Sequence, residues 1–198
     1  MGIKHRDPFE IFSSWLEKAS RKEINNPDAM TLATAGKDGR PSARMVLLKD
    51  WGPEGFTFYT NLDSPKSHEL AENPYAALLF HWKTLDRQIR IEGPVAQVPD
   101  DEADAYFATR ARASQLGAWA SHHSQAMDGW AELEKRVAFY TAKFHLGAVP
   151  RPDFWSGFRL HPERFEFWKE GKFRLHKGFV FTLSESDEEK WSVQQVYP

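Results

Sequence analysis

Three clusters in the sequence carry side chains able to do chemistry. Arg44 and Lys49 bracket the apolar run Met45-Val46-Leu47-Leu48. On a regular strand, positions an odd number apart face opposite sides. The two cations therefore either serve separate anions or are ordinary solvated strand ends. Tyr106, Arg110 and Ser114 stand at i, i+4 and i+8, which would gather a phenol, a guanidinium and a hydroxyl on one helix face. That set suits a phosphate, with Arg110 supplying charge-assisted bonds; a plain helix face has the same spacing. In Phe173-Arg174-Leu175-His176, strand alternation would put a cation and a titratable imidazole on one face, although a surface strand gives the same pattern by chance. His122-His123 lacks a third ligand at metal spacing, so no metal site is expected. Dinucleotide, Walker, nucleophile-elbow and zincin signatures are all missing from the sequence.

The chain that must position these groups has 198 residues, enough for one sizeable domain spanning 1–198. Twenty-six Lys and Arg stand against 28 Asp and Glu. That balance argues against a chain-wide grip on nucleic acid or on a membrane surface, so any anion site is local. There is no cysteine, which removes disulfides and thiolate chemistry and fits a cytoplasmic location. The first residues, MGIKHRDPFEIF, have no apolar run of signal-peptide length, and Arg6 stands where a myristoylation signal needs Ser or Thr. Eight Trp and 15 Phe serve either packing or surfaces against flat rings.

A helix is expected from Asp7, capped by that residue, with Pro8 in its first turn and a stripe of Phe9, Phe12, Trp15 and Leu16. The period then changes to that of strands at Met30–Thr34, Arg44–Lys49, Gly55–Asn61, Tyr75–Trp82 and Arg87–Val98. Gly36 to Gly39 forms a turn, and Ser64-Pro65 suits a helix start. Gly93-Pro94 marks a bulge or bend. Residues 100–146 read as helical, and further strands are expected near Phe158–Trp168, Phe173–Leu183 and Trp191–Val196. The pattern is mainly β with packed helices (α+β), an antiparallel barrel with helices outside.

Across Asp7 to Pro198 the sequence resembles the pyridoxine (pyridoxamine) 5′-phosphate oxidase family. The resemblance is carried by RMVLLK at 44–49, FYTNL at 58–62, LLFHW at 78–82, RQIRIEG at 87–93, SQLGAWAS at 114–121, FWSGFRL at 154–160, EFW at 166–168 and RLH at 174–176. It implies an FMN-binding split β-barrel of antiparallel Greek-key type. It also implies a homodimer with FMN at the interface and a C-terminal dimerisation and substrate segment at about 150–198. The implied reaction oxidises pyridoxine or pyridoxamine 5′-phosphate to pyridoxal 5′-phosphate. Hydride passes from C4′ to flavin N5, and O2 reoxidises the flavin to give H2O2. By position, Lys49, Tyr106, Arg110 and Ser114 would hold the substrate phosphate, while Arg174 and His176 would act on the pyridine ring as the catalytic pair. Arg44 and Lys66 would hold the FMN phosphate. Tyr59, Thr60, Gln88, His123, Ser124 and Trp168 would line the flavin site, with the backbone of Met45, Val46, Leu47, Leu48 and Lys49 along the ring.

Several positions depart from the family pattern. Pro65 stands for an Arg, His123 for a Gln, Lys177-Gly178 for Asp-Arg and Gln195 for an Arg, and the stretch before Ser114 reads Ala111-Arg112-Ala113. An N-terminal extension over the site is also missing. The substrate-phosphate set is intact and two cationic positions around the flavin are lost, so looser FMN retention is expected. The departures leave room for a paralogue acting on another substrate, or for a non-catalytic binder of pyridoxal phosphate or FMN.

Overall fold

A computed structural model describes residues 7–184 and 190–198. Residues 1–6, read above for targeting signals, and 185–189, within the expected final β section, lie outside the described residues. Helix α1 (Pro8–Lys22) starts as its sequence dictates, with Asp7 Oδ1 accepting from the Phe9 N–H at 2.8 Å. Its apolar stripe enters the core, where Phe12 meets Phe56, Trp51 and Phe80 at ring-centroid distances of 4.9, 5.0 and 5.3 Å.

The strands that follow are β1 (Ala29–Ala35), β2 (Pro41–Leu47), β3 (Asp50–Gly52), β4 (Gly55–Asn61), β5 (Tyr75–Trp82), β6 (Arg87–Gln97), β7 (Trp155–Leu160), β8 (Arg164–Lys169), β9 (Lys177–Leu183) and β10 (Trp191–Val196). All pairings are antiparallel. One path runs β10-β9-β8-β6-β5-β1-β2, and a second runs from β6 through β7 to β4 and β3. The sheet curls into a split half-barrel that comes together where Lys49 N–H, just after β2, donates to Thr57 O of β4 at 2.9 Å. Helices α2 (Pro65–Glu72), α3 (Asp100–Thr109), α4 (Arg112–Ala120) and α5 (Trp130–Lys143) complete the fold.

Strand β6 belongs to both paths. Its residues Arg87–Glu92 pair with β8, whereas Val95–Gln97 pair with β7. The switch falls at Gly93-Pro94, the bend expected from the sequence. A Cβ on Gly93 would lie 1.9 Å from His161 O, so only glycine lets the next chain segment pass this closely.

Four local expectations are corrected. Phe158–Trp168 is two strands, β7 and β8, because the chain must leave the β4 side and rejoin at β6. The helical block breaks into three helices, and the first ends at Thr109. Ser64 makes no side-chain cap to α2; its hydroxyl is taken by Lys66 Nζ and Ser67 Oγ, each at 3.0 Å. Finally, Phe173 to His176 is not strand. Phe173 and Arg174 sit at φ 59° and 62° in a tight turn, and β9 starts only at Lys177. The chain doubles back over Gly171, whose Cβ would lie 1.9 Å from Leu175 O, and that close return excludes the extended path.

Gly93→Ala should lower unfolding free energy in urea by about 2 kcal/mol or more, because backbone rather than a side-chain tip must move. Gly52→Ala, where nothing lies within 4 Å of the added carbon, should stay near neutral.

Candidate functional site

The α3–α4 elbow, rather than one continuous helix, brings Tyr106, Arg110 and Ser114 together. Arg110 leaves helical geometry at φ −70°, ψ 147° as the C-cap of α3, and Ser114 lies in the first turn of α4. The elbow is closed by buried Gln115, whose Nε2 donates to Phe107 O at 2.8 Å. The α4 N-cap is Ala111, with no side-chain cap. The Ser114 N–H is taken by Ala111 O at 2.8 Å, so the positive end of α4 rests on the N–H groups before it, where Ala111 and Ser114 line a cavity.

That cavity, of about 680 Å³, lies among β2, β4, α2 and the elbow. Lys49, Lys66, Arg110 and His123 line it together with the polar groups of Thr60, Asn61, Ser114 and Ser121. No Asp or Glu is among the described residues of its wall. One side is an aromatic ladder: Tyr59 stacks on Tyr106 at 3.9 Å and on Trp155 at 5.2 Å, with interplanar angles of 9° and 7°. Burial, and secondarily the Glu102 carboxylate, push the Tyr59 phenol up to about 12, so it stays neutral through physiological pH. Met45, Val46 and Leu47 also line the cavity. Met45 and Leu47 are exposed, whereas Leu48, expected along the same wall, is buried in the core and does not line the cavity.

The cations differ in how they are balanced. Lys49 pairs with Asp28 at 3.2 Å. Lys66 is 7% exposed, and its Nζ donates to the hydroxyls of Thr60 and Ser64, both at 3.0 Å. Burial first, and then the nearby Arg44 charge, lower its pKa. Glu69, three residues on, offsets this only in part, and it makes no hydrogen bond to Lys66. Glu69 is held by Arg44 at 3.1 Å, by Ser42 at 2.7 and 2.8 Å, and by Thr34. These bonds and the Arg44 charge overcome the upward push of burial and keep the carboxyl below its ordinary value. Arg110 lies over the rings of Trp155 and Phe107 at 4.8 and 5.5 Å. Its buried Nη1 has no hydrogen-bond partner, and burial lowers its pKa as well.

Of the residues singled out in the sequence, Met45, Val46, Leu47, Lys49, Tyr59, Thr60, Lys66, Tyr106, Arg110, Ser114 and His123 meet at this cavity. Arg44 stands behind Lys66, committed to Glu69. Ser124, at φ 64°, lines a neighbouring pocket of about 210 Å³ instead. Gln88, Trp168, Arg174 and His176 form a separate group. Gln88 is opposite Trp168 in the β6–β8 register, Trp168 and His176 rings lie 4.6 Å apart, and His176 Nδ1 accepts from the Gly171 N–H at 3.3 Å. Arg174 is exposed beside Phe173 and Leu175. Sequence reasoning missed Trp155 as the base of the ladder, although it lies within the FWSGFRL segment. It also missed Asp28 and Glu69 as counter-ions, for which the sequence carries no local signal. Among the described residues no cluster of three His, Cys, Asp or Glu could hold a metal, and no helix is long and apolar enough to cross a membrane.

The unpartnered guanidinium gives a direct test. Without an anion, Arg110→Leu should unfold no earlier than the parent, because it removes an orphaned buried donor that costs about 1–3 kcal/mol. Millimolar inorganic phosphate should raise the melting temperature of the parent and leave that of Arg110→Leu unchanged.

The chain matches the family model described as pyridoxamine 5′-phosphate oxidase over residues 16–143, and the pyridoxine 5′-phosphate oxidase C-terminal dimerisation region over 155–198. It is 54% identical over 192 residues to a pyridoxine/pyridoxamine 5′-phosphate oxidase of Azorhizobium caulinodans, covering 97% of this chain and 90% of that one. Identity to the protein of the same description in Caulobacter vibrioides is 52% over 196 residues, covering 99% and 87%. Among solved structures it is similar to PhzG from Burkholderia lata, in complex with tetrahydrophenazine-1-carboxylic acid. That match has a TM-score of 0.88, 30% identity and coverage of 97% and 93%. An FMN-binding protein from Nostoc punctiforme shares the fold, with a TM-score of 0.76, 14% identity and coverage of 98% and 99%. The chain belongs to the pyridoxine/pyridoxamine 5′-phosphate oxidase family of oxidoreductases.

Proposed function

We propose that this chain is an FMN-dependent oxidase converting pyridoxine 5′-phosphate or pyridoxamine 5′-phosphate to pyridoxal 5′-phosphate. The observation that carries the reading is the cavity whose wall holds Lys49, Lys66, Arg110 and His123 and no carboxylate among its described residues. Such a wall is stabilised by anions and destabilised without them. The orphaned Arg110 Nη1 and the carboxylate-free Lys66 fit phosphate groups, and the parallel Tyr59, Tyr106 and Trp155 rings fit a site for flat ligands.

Lys66 and Thr60 would take the flavin phosphate, with Arg44 adding charge from behind. Lys49, Tyr106, Arg110 and Ser114 would take the substrate phosphate, aided by the uncapped start of α4. The backbone of Met45 to Leu47 would edge the flavin ring. FMN, when bound, supplies the acceptor for hydride from the substrate C4′ carbon, and O2 returns it to the oxidised state with release of H2O2. The protein's part is anchoring and orientation.

Gln88, Trp168, Arg174 and His176 do not line the cavity of their own chain. The last three fall within the stretch matched as a dimerisation region. In a homodimer with two equivalent sites, Arg174 of the partner subunit would close over the ring of a substrate held by Arg110, with His176 of the partner subunit beside it. The left-handed turn at Phe173-Arg174 and the neighbouring His176–Trp168 contact would then set where this arm points.

A second reading is a flavoenzyme acting on another substrate, favoured by the likeness to PhzG in complex with tetrahydrophenazine-1-carboxylic acid. An anaerobic visible spectrum of the FMN-loaded protein separates the two. Pyridoxine 5′-phosphate should bleach the bound flavin band; a band that stays yellow would exclude the oxidase. Arg174→Ala should slow that bleaching by about 100-fold, as expected for lost orientation, while FMN remains bound.

A further inference from the structure

The phosphate end of the cavity near Lys66 contains a group whose charge is not fixed. His123 lines the same cavity as Lys66 and feels its charge directly. It comes from the segment between α4 and α5, on the side of the cavity remote in sequence from α2. The charged groups of the wall besides His123 are Lys66 from α2, Lys49 after β2 and Arg110 after α3, with the Tyr59 and Tyr106 rings beside them. Arg44 and Glu69 form an ion pair behind Lys66, while His122, Glu132 and Arg136 line the neighbouring pocket. No carboxylate among the described residues of the wall faces the imidazole.

We propose that His123 is a proton-coupled anion ligand: it meets the flavin phosphate as the imidazolium, beside Lys66, so that loading the cavity takes up a proton from solvent. This rests on the reading that FMN phosphate occupies the Lys66 end. Without a bound anion, desolvation at the cavity wall, where His123 itself is exposed, and then the Lys66 ammonium lower its pKa, which favours the neutral imidazole near pH 7. A phosphate dianion reverses the balance. It screens Lys66 and offers a negative partner, which raises the His123 pKa in the complex. By linkage, FMN affinity then falls as pH rises between the free and bound pKa values of His123, by at most about tenfold per pH unit for one proton. The second ionisation of the phosphate itself, near pH ~6, acts in the opposite sense below that range. The His123 contribution is therefore read above pH 7.

The test is calorimetric titration of the apoprotein with FMN at pH 7.5, in buffers of differing ionisation enthalpy, on the parent and on His123→Gln. Riboflavin, which lacks the phosphate, is the control. The parent should take up a substantial fraction of a proton with FMN and little with riboflavin, and His123→Gln should lose that uptake. FMN affinity of the parent should weaken by about 3- to 10-fold from pH 7 to 8.5, against less than about twofold for the variant. Tight FMN binding with equal proton uptake in both proteins would overturn the role of His123 alone. Failure of FMN to bind the parent at any pH would overturn the flavin reading and this proposal together.

Discussion

Positive charge held without matching negative charge is the constraint around which this molecule is arranged. Removing a cation from water costs several kcal/mol even after relaxation. A folded chain normally recovers that cost with a carboxylate. Lys49 has Asp28, but for Lys66 and Arg110 the nearby acids are engaged elsewhere: Glu69 is tied to Arg44, and Glu102 to Arg159 at 2.6 Å. Lys66 is left with hydroxyls and Arg110 with aromatic faces. An anion bound here would complete an electrostatic arrangement that folding leaves open. The ion pair behind Lys66 keeps Arg44 in place as a second layer of charge.

The rest of the fold keeps these groups from collapsing onto one another. The switch of β6 between two pairing partners at Gly93 curls the sheet, so that β2 and β4 approach along the cavity. The elbow stapled by Gln115 holds Arg110 and Ser114 at the same opening although they lie on different sides of a helix break. The Tyr59–Tyr106–Trp155 ladder ties α3 to β4 and β7 through stacked rings. Rigid strands and a stapled elbow provide a preformed site.

Much of this was legible in the sequence, for identifiable reasons. Alternation at Met30–Thr34 and the Asp7-Pro8 helix start are local signals, and both elements form where expected. Gly93-Pro94 announced its bend because glycine and proline act on the backbone itself. Tyr106, Arg110 and Ser114 do converge, but through a turn that periodicity cannot reveal, since a helix–turn–helix can preserve the same spacing. The stretch Phe173–His176 misled because its alternation is real while its geometry is set by Gly171 and a close backbone return. Ser64 looked like a cap, yet a buried lysine two residues away is a stronger claimant for its hydroxyl. Counter-ions such as Asp28 for Lys49 are tertiary facts without a local trace.

The separation of the cation-lined cavity from the Trp168–His176 arm within one chain is the central claim, and hybrid dimers test it most directly. Co-expressed Arg110→Ala and Arg174→Ala chains, each nearly inactive alone, would form mixed dimers in which one site holds both substitutions and the other holds neither. Random pairing then predicts that oxidation of pyridoxine 5′-phosphate recovers to roughly a quarter of the parent activity. Recovery at that level is the result this account requires. No recovery, with mixed dimers demonstrably present and FMN bound, would place both arginines in the same subunit's site and contradict it.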